Sequence, residues 1–157
     1  MSSNTIKEKI VAVWKEALPA LSQLQDDFFV IGGSALILSG LPINDTKDID
    51  LLTSFRDANK LKELWGEREL NYIPIETTRF KSNFARFQFD SLDVEVMGDL
   101  EVYSKGQWRK VAINSFKMIP LTGSQIKVPT LAEQVRILQL FGRQKDIDKI
   151  ALVKKMM

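Results

Sequence analysis

The sequence predicts an α/β or α+β fold built as a single domain. Apolar residues at three-to-four spacing alternate along the chain with short apolar runs, which indicates helices interleaved with strands. The chain has 157 residues, enough for one domain with a real hydrophobic core. No internal repeat, low-complexity tract or linker divides it. We therefore expect one domain over residues 1–157, with an N-terminal helix in 1–25 and C-terminal helices in 129–157.

Five segments have the pattern of helices. They cover residues 5–24, 34–39, 54–66, 130–142 and 145–154. Thr5 and Glu8 match a capping box, which satisfies exposed amide donors at the start of a helix. Thr130 and Glu133 repeat that pattern near the C-terminus. Pro19 lies inside the first helical pattern and is expected to kink the helix or end its regular part.

Six segments have the pattern of strands. They cover residues 28–31, 48–53, 72–76, 84–89, 92–97 and 108–113. Pro74 favours an edge position for the third of these, because proline has no N–H to donate to a neighbouring strand. Asp90-Ser91 predicts a hairpin turn between the fourth and fifth. We expect a polar loop at residues 77–82 and an extended, irregular segment at 119–128.

The composition excludes several kinds of catalysis. The chain has no Cys and no His, so thiolate nucleophiles, Cys-ligated zinc and Ser-His-Asp hydrolysis are impossible. Acid–base chemistry falls to Asp, Glu, Lys or Tyr, and a metal bound among oxygen ligands would be Mg²⁺ or Mn²⁺. The net charge of +2 does not point to a nucleic-acid-binding protein. Neither a membrane span nor a signal peptide is visible, so we expect a cytoplasmic protein.

Two acidic pairs have the spacing of a metal site. Asp48 and Asp50 are two residues apart on a predicted strand, so their side chains point to the same face. A third carboxylate is expected from Asp93 or Glu95, and Glu95 is favoured because it lies deeper in its apolar strand. Metal-assisted phosphoryl transfer uses carboxylate clusters of this kind. Alternatively, the two pairs form polar, solvent-facing sides of edge strands.

Gly32-Gly33-Ser34 follows an apolar strand and opens a helix. Glycines allow a close approach of the backbone to a ligand, and amide groups at a helix N-terminus attract anions. The Ser34 hydroxyl would add a hydrogen bond to a phosphate. Neither a Walker-type Gly-Lys-Ser/Thr nor a dinucleotide-binding Gly-x-Gly-x-x-Gly motif is present.

Together these motifs resemble the nucleotidyltransferase (polymerase-beta-like) superfamily. The chain is most similar to small prokaryotic nucleotidyltransferase-like proteins related to the type IV abortive-infection toxin. The segments that carry the resemblance are Gly32-Gly33-Ser34, Thr46–Leu51, Val94–Asp99, Val128–Leu131 and Gly142–Asp146. The resemblance implies a mixed β-sheet flanked by helices, with Asp48, Asp50 and Glu95 as catalytic and metal-binding acids. It also implies that residues 32–34 hold a triphosphate.

The resemblance implies Mg²⁺-dependent transfer of a nucleoside monophosphate from an NTP to a hydroxyl acceptor. That acceptor would be a protein, an RNA or a small molecule. Related proteins often carry an Arg where this chain has Asn44, and Lys47, Arg79, Lys81 or Arg86 would take over phosphate binding. Alternatively, the chain is a nucleotide-binding or regulatory module with weak or no catalysis, acting with a protein partner in a toxin–antitoxin pair. The sequence does not indicate an oligomeric state.

Overall fold

A five-stranded mixed sheet forms the centre of the molecule in the computed structural model, which describes residues 5–74, 76–121 and 123–157. Its strands are β1 (Phe29–Ile31), β2 (Asp48–Thr53), β3 (Phe80–Phe87), β4 (Asp93–Ser104) and β5 (Gln107–Lys110). The strand order is β1-β2-β4-β3, and β5 pairs with the far end of β4. Strands β2 and β4 are parallel, and the other pairs are antiparallel. The mixed sheet confirms the predicted fold class.

Five α-helices surround this sheet within the described residues. They are α1 (Ile6–Leu21), α2 (Gly32–Leu38), α3 (Phe55–Leu64), α4 (Leu131–Phe141) and α5 (Gln144–Met156). A separate hairpin follows β5 and consists of β6 (Phe116–Leu121) and β7 (Ser124–Pro129). None of the helices formed by the described residues is long and apolar enough to cross a bilayer.

The main hydrophobic core lies on the face of the sheet covered by α1 and α3. Side chains alternate between the two faces of a strand, and on β2 the residues Ile49 and Leu51 are each 1% exposed. They join buried side chains of α1, α3, β3 and β4 in one cluster. Trp65, at the end of α3, packs edge-to-face against Phe87 with ring centroids 5.1 Å apart. The intervening residues of β2 and β4 therefore face the opposite side.

A glycine brings α3 close to the sheet. A Cβ added at Gly98 of β4 would lie 2.7 Å from the Ala58 Cβ and 2.8 Å from the Ser54 carbonyl oxygen. Ser54 is the N-cap of α3, and its hydroxyl accepts a hydrogen bond from the Asp57 amide. The absence of a side chain at residue 98 therefore allows the first turn of α3 to rest on β4.

Most helix boundaries agree with the sequence patterns, with three differences. Helix α1 ends at Leu21, three residues before the predicted end and two residues beyond Pro19, which lacks the N–H for one backbone hydrogen bond of the helix. Helix α2 begins at Gly32 rather than at Ser34. The capping box of α1 is complete, whereas at α4 only the Thr130 half forms, because the Glu133 carboxylate binds Arg136.

The strands predicted at 84–89 and 92–97 are observed as β3 and β4, joined by the expected hairpin turn, whereas other strand predictions are wrong in part. Residues 72–74 and 76 form no strand, and residue 75 lies outside the described residues. The Tyr72 amide donates to the nearby Leu70 carbonyl instead of to β3. Polar residues predicted as a loop at 77–82 belong partly to β3, which begins at Phe80. The predicted strand at 108–113 is observed as β5, which ends at Lys110.

The segment at 119–128, predicted to be irregular, contributes to the β6–β7 hairpin. Its regular pairing escaped prediction because most of β6 is exposed and lacks an apolar alternation.

Candidate functional site

Strand register places four carboxylates on one face of the central sheet. In the parallel β2–β4 pair, Asp48 lies opposite Asp93 and Asp50 lies opposite Glu95. Residues two apart on one strand share a face, and neighbouring strands are about 4.8 Å apart. The two acidic pairs of the sequence therefore form one compact group on the face opposite the main core.

Three of these carboxylates converge. Asp48, Asp50 and Glu95 each offer a carboxylate oxygen, and these oxygens lie within 4.8 Å of one another. The side chains of Asp48 and Glu95 are 19% and 17% exposed, so solvent still reaches them. Hard oxygen donors at this separation fit a divalent ion such as Mg²⁺ or Mn²⁺, which completes its coordination with water or substrate oxygens. The residues therefore fit a metal, although the geometry does not select one ion.

Arg86 of β3 lies across this carboxylate group. It is paired in register with Glu95. Its Nε donates to Asp93 Oδ2 at 2.9 Å, and its Nη1 donates to Asp48 Oδ2 at 3.1 Å. The same Nη1 lies 3.2 Å from Glu95 Oε1. Arg86 therefore contacts both candidates for the third carboxylate, and of the two it is Glu95 that belongs to the converging group.

Mutual repulsion and burial disfavour the charged forms of two of these acids. Burial and, after it, repulsion from the neighbouring Asp48 carboxylate together raise the pKa of Glu95 to about 7, against the opposing attraction of Arg86 and Lys145. Burial also raises the pKa of Asp50 well above its ordinary value, with added repulsion from Asp48 and Glu95. A divalent cation would relieve this repulsion, because it favours the ionised forms of its ligands.

Gly32 makes room for one of the acids. Its φ is +72°, and an added Cβ would lie 2.5 Å from Asp50 Oδ2. A side chain would therefore be strained by the backbone and would displace the carboxylate. At Gly33 an added Cβ would meet Thr46 Oγ1 at 3.1 Å. Both glycines line the open space in front of the carboxylates.

Ser34 is placed differently from the sequence prediction. Its side chain is buried, with 1% exposure, and its hydroxyl donates to the Asp48 carbonyl oxygen at 2.8 Å. The hydroxyl proton is thus used inside the protein instead of facing a phosphate. In this structure Ser34 links α2 to the start of β2 and so helps to position Asp48.

The carboxylates stand at one side of a cleft of about 900 Å³. Basic residues on its lining include Lys47, Arg86, Lys145 and Lys149, whereas Leu36, Phe80 and Phe141 contribute apolar surface. Lys47 is exposed, in keeping with a position at the edge. The neighbouring aromatic rings of Tyr72 and Phe84, with centroids 5.7 Å apart, also lie on the lining. The cleft is large enough for a nucleotide-sized ligand.

Helix α5 adds two lysines to the site, and of these sequence reasoning missed Lys149. Lys149 attracts the Asp50 carboxylate, and Lys145 attracts that of Glu95. These lysines are four residues apart and therefore share one face of α5. That spacing was visible in the sequence, but only the packing of α5 shows that this face borders the cleft.

Comparison with solved structures identifies nucleotidyltransferases with the same fold. A candidate nucleotidyltransferase from Thermotoga maritima aligns over 98% of both chains, with a TM-score of 0.76 and 21% identity. The lincosamide antibiotic adenylyltransferase LnuA, in its lincomycin-bound form, covers 99% of this chain and 100% of its own, with a TM-score of 0.61 and 10% identity.

ANT(2″)-Ia, in complex with adenylyl-2″-tobramycin, covers 94% of this chain and 88% of its own, with a TM-score of 0.57 and 10% identity. At these identities the likeness concerns the fold. No protein-family model matches the sequence, and the search of curated proteins finds no match.

Proposed function

We propose that this protein transfers a nucleoside monophosphate from an NTP to a hydroxyl acceptor, with the help of Mg²⁺ or Mn²⁺. The observation that carries this proposal is the convergence of three carboxylate oxygens within 4.8 Å of one another, beside a cleft of about 900 Å³. The shared fold with nucleotidyltransferases supports it.

The acids have distinct roles in the proposed reaction. Asp48, Asp50 and Glu95 would hold the divalent cation, which would neutralise charge on the phosphate oxygens. Glu95 would also accept the proton of the acceptor hydroxyl, and Asp50 is the alternative base, because both carboxylates line the cleft next to the proposed metal position.

Basic groups and glycines would hold the triphosphate. Gly32 and Gly33 border the cleft next to Asp50, so a phosphate can approach the backbone closely there. Lys47 lies on the cleft lining, and Lys145 and Lys149 add positive charge from α5. Attack of the acceptor oxygen on the α-phosphorus would form the new P–O bond and release pyrophosphate. The hydroxyl proton would pass to the carboxylate base.

The acceptor is a hydroxyl compound of unassigned class. Two structural neighbours are described as complexes with the antibiotic lincomycin and with adenylyl-2″-tobramycin, respectively. Those complexes support a small molecule as one candidate acceptor, beside a protein or an RNA. A protein partner that supplies acceptor specificity is compatible with the proposal.

The test uses α-³²P-labelled NTPs, Mg²⁺ and a cell extract as the source of acceptors. Wild-type protein should transfer label to a discrete product, whereas Asp48→Asn and Asp50→Asn should lose at least about a hundredfold of that transfer. Asp45→Asn is the matched control, because Asp45 is exposed and is not among the cleft-lining residues. Equal transfer by wild type and the site variants would refute the proposal.

A second candidate is a nucleotide-binding module that does not turn over, acting with a protein partner such as the other member of a toxin–antitoxin pair. The contact of Arg86 with Asp48 and Glu95 favours it, because a guanidinium already neutralises two of the converging acids. Asn44, at the position where related proteins often carry an Arg, is exposed and is not among the cleft-lining residues. This candidate would be selected if calorimetry showed NTP binding but the NTP released no pyrophosphate in the presence of any acceptor mixture.

A further inference from the structure

Arg86 has an unusual position for a residue expected to bind phosphate. One nitrogen, Nη1, lies 3.1 Å from Asp48 Oδ2 and 3.2 Å from Glu95 Oε1. These acids supply two of the three oxygens that converge within 4.8 Å. The positive charge therefore lies beside the position that a divalent cation would take between the same carboxylates.

We propose that Arg86 is an internal cation of this site, and that it competes with the divalent metal for Asp48 and Glu95. The inference rests on the proposed function in one respect, namely that a metal binds these carboxylates. It adds that metal entry requires Nη1 to give up its two contacts. The metal alone should therefore bind weakly. The site should favour ions that arrive together with a triphosphate, because the phosphate oxygens can accept hydrogen bonds from the displaced Nη1.

The surroundings of Arg86 suit such a movement. Its Nε is held by Asp93 at 2.9 Å, and Asp93 lies outside the converging group. This contact can persist while Nη1 turns away. The guanidinium also lies 5.2 Å from the Tyr72 ring centroid, within cation–π distance. Its side chain is 16% exposed and lines the cleft. Arg86 therefore has an anchor, a second favourable surface and open space beside it.

Competition has a signature that a structural role lacks. If Arg86 only held the carboxylates in position, its removal would weaken metal binding, because the ligands would lose their orientation. If it competes with the metal, its removal strengthens metal binding, because a positive charge and two hydrogen bonds no longer oppose the ion. The two roles therefore predict changes of opposite sign.

The experiment is a Mn²⁺ titration of the full chain without nucleotide, in which electron paramagnetic resonance measures the free ion. We expect Arg86→Met to bind Mn²⁺ at least about tenfold more tightly than wild type, the factor that corresponds to about 1.4 kcal/mol. Arg68→Met is the matched control. Like Arg86, Arg68 forms an ion pair and stacks on an aromatic ring. Its Nη2 lies 2.7 Å from Glu16 Oε1, and its Cζ lies 4.2 Å from the Phe89 ring centroid, away from the cleft. Its Mn²⁺ affinity should equal that of wild type.

Unchanged or weaker Mn²⁺ binding by folded Arg86→Met would overturn the inference and leave the metal site intact. Failure of both proteins to bind Mn²⁺ at millimolar concentration would overturn the metal site as well. A second measurement needs no variant and covers the case in which Arg86→Met does not fold. The Arg86 Nη–H signals of ¹⁵N-labelled wild type should shift during a Mg²⁺ titration, because Nη1 gives up its contacts with Asp48 and Glu95, and unchanged signals at saturation would overturn the inference.

Discussion

Replacing Glu95 with Gln should stabilise the metal-free protein at alkaline pH. The pKa of Glu95 is raised from 4.5 to about 7, so between these values the folded state retains a proton that the unfolded state has released. Folding stability therefore falls as pH rises through this interval, by up to about 3 kcal/mol at 1.36 kcal/mol per pKa unit. Gln carries no charge and avoids this cost. The substitution also removes the ion pair between Glu95 and Arg86. We therefore expect a net gain of about 1–3 kcal/mol in the free energy of unfolding at pH 8.

Urea denaturation in EDTA, followed by tryptophan fluorescence, measures this gain. The difference between Glu95→Gln and wild type should shrink as pH falls from 8 towards 5, because Glu95 then becomes protonated in the folded wild type. Glu101→Gln is the control on the same strand, since Glu101 pairs with Lys81 at 3.6 Å near the surface and should change stability by less than about 1 kcal/mol. A Glu95→Gln protein no more stable than wild type at pH 8 would refute the inferred repulsion.

Three further predictions concern packing, charge and protons. Gly98→Ala places a Cβ 2.7 Å from the nearest side-chain atom of α3 and should lower the free energy of unfolding by about 1–3 kcal/mol. Gly66→Ala is the control, because a Cβ added at Gly66 has no heavy atom within 4 Å. If urea denaturation showed an equal loss of unfolding free energy in the two variants, the packing argument would be contradicted. Lys149→Met should weaken calorimetric binding of α,β-methylene-ATP by about tenfold, the worth of one charge-assisted contact. Lys155→Met, at an exposed position, should leave this affinity unchanged. Equal nucleotide affinities in the two variants would exclude Lys149 as a phosphate contact. Mn²⁺ affinity should fall by up to about tenfold per pH unit below pH 7, because the ion must displace the Glu95 proton. A constant affinity between pH 6 and 8 would contradict this competition.

Local patterns in the sequence were sufficient for much of the fold. The strand predicted at residues 48–53 has the same bounds in the structure, because polar and apolar residues alternate over residues 48–51 and the apolar Leu52 continues the run. The Thr5–Glu8 capping box forms as expected. Both features depend on residues within a few positions of one another, so periodicity and capping chemistry describe them well.

Non-local pairing was beyond the reach of those patterns. The choice between Asp93 and Glu95 depended on the register of β4 against β2 and on the position of Arg86 across the sheet. Register between distant strands is set by the packing of whole faces and cannot be read from one strand alone. The same limit hid the burial of the Ser34 hydroxyl and the approach of Lys149 to the carboxylates. The roles of all these residues in catalysis and binding stay predictions.

The most direct test of the metal site is anomalous diffraction from crystals grown with Mn²⁺ and α,β-methylene-ATP. We expect a manganese peak about 2.1 Å from carboxylate oxygens of Asp48 and Asp50, the distance typical of small divalent ions, with Glu95 beside it and the triphosphate along Gly32 and Gly33. Manganese and nucleotide bound elsewhere, with these three carboxylates making no contact to either, would contradict the proposed site.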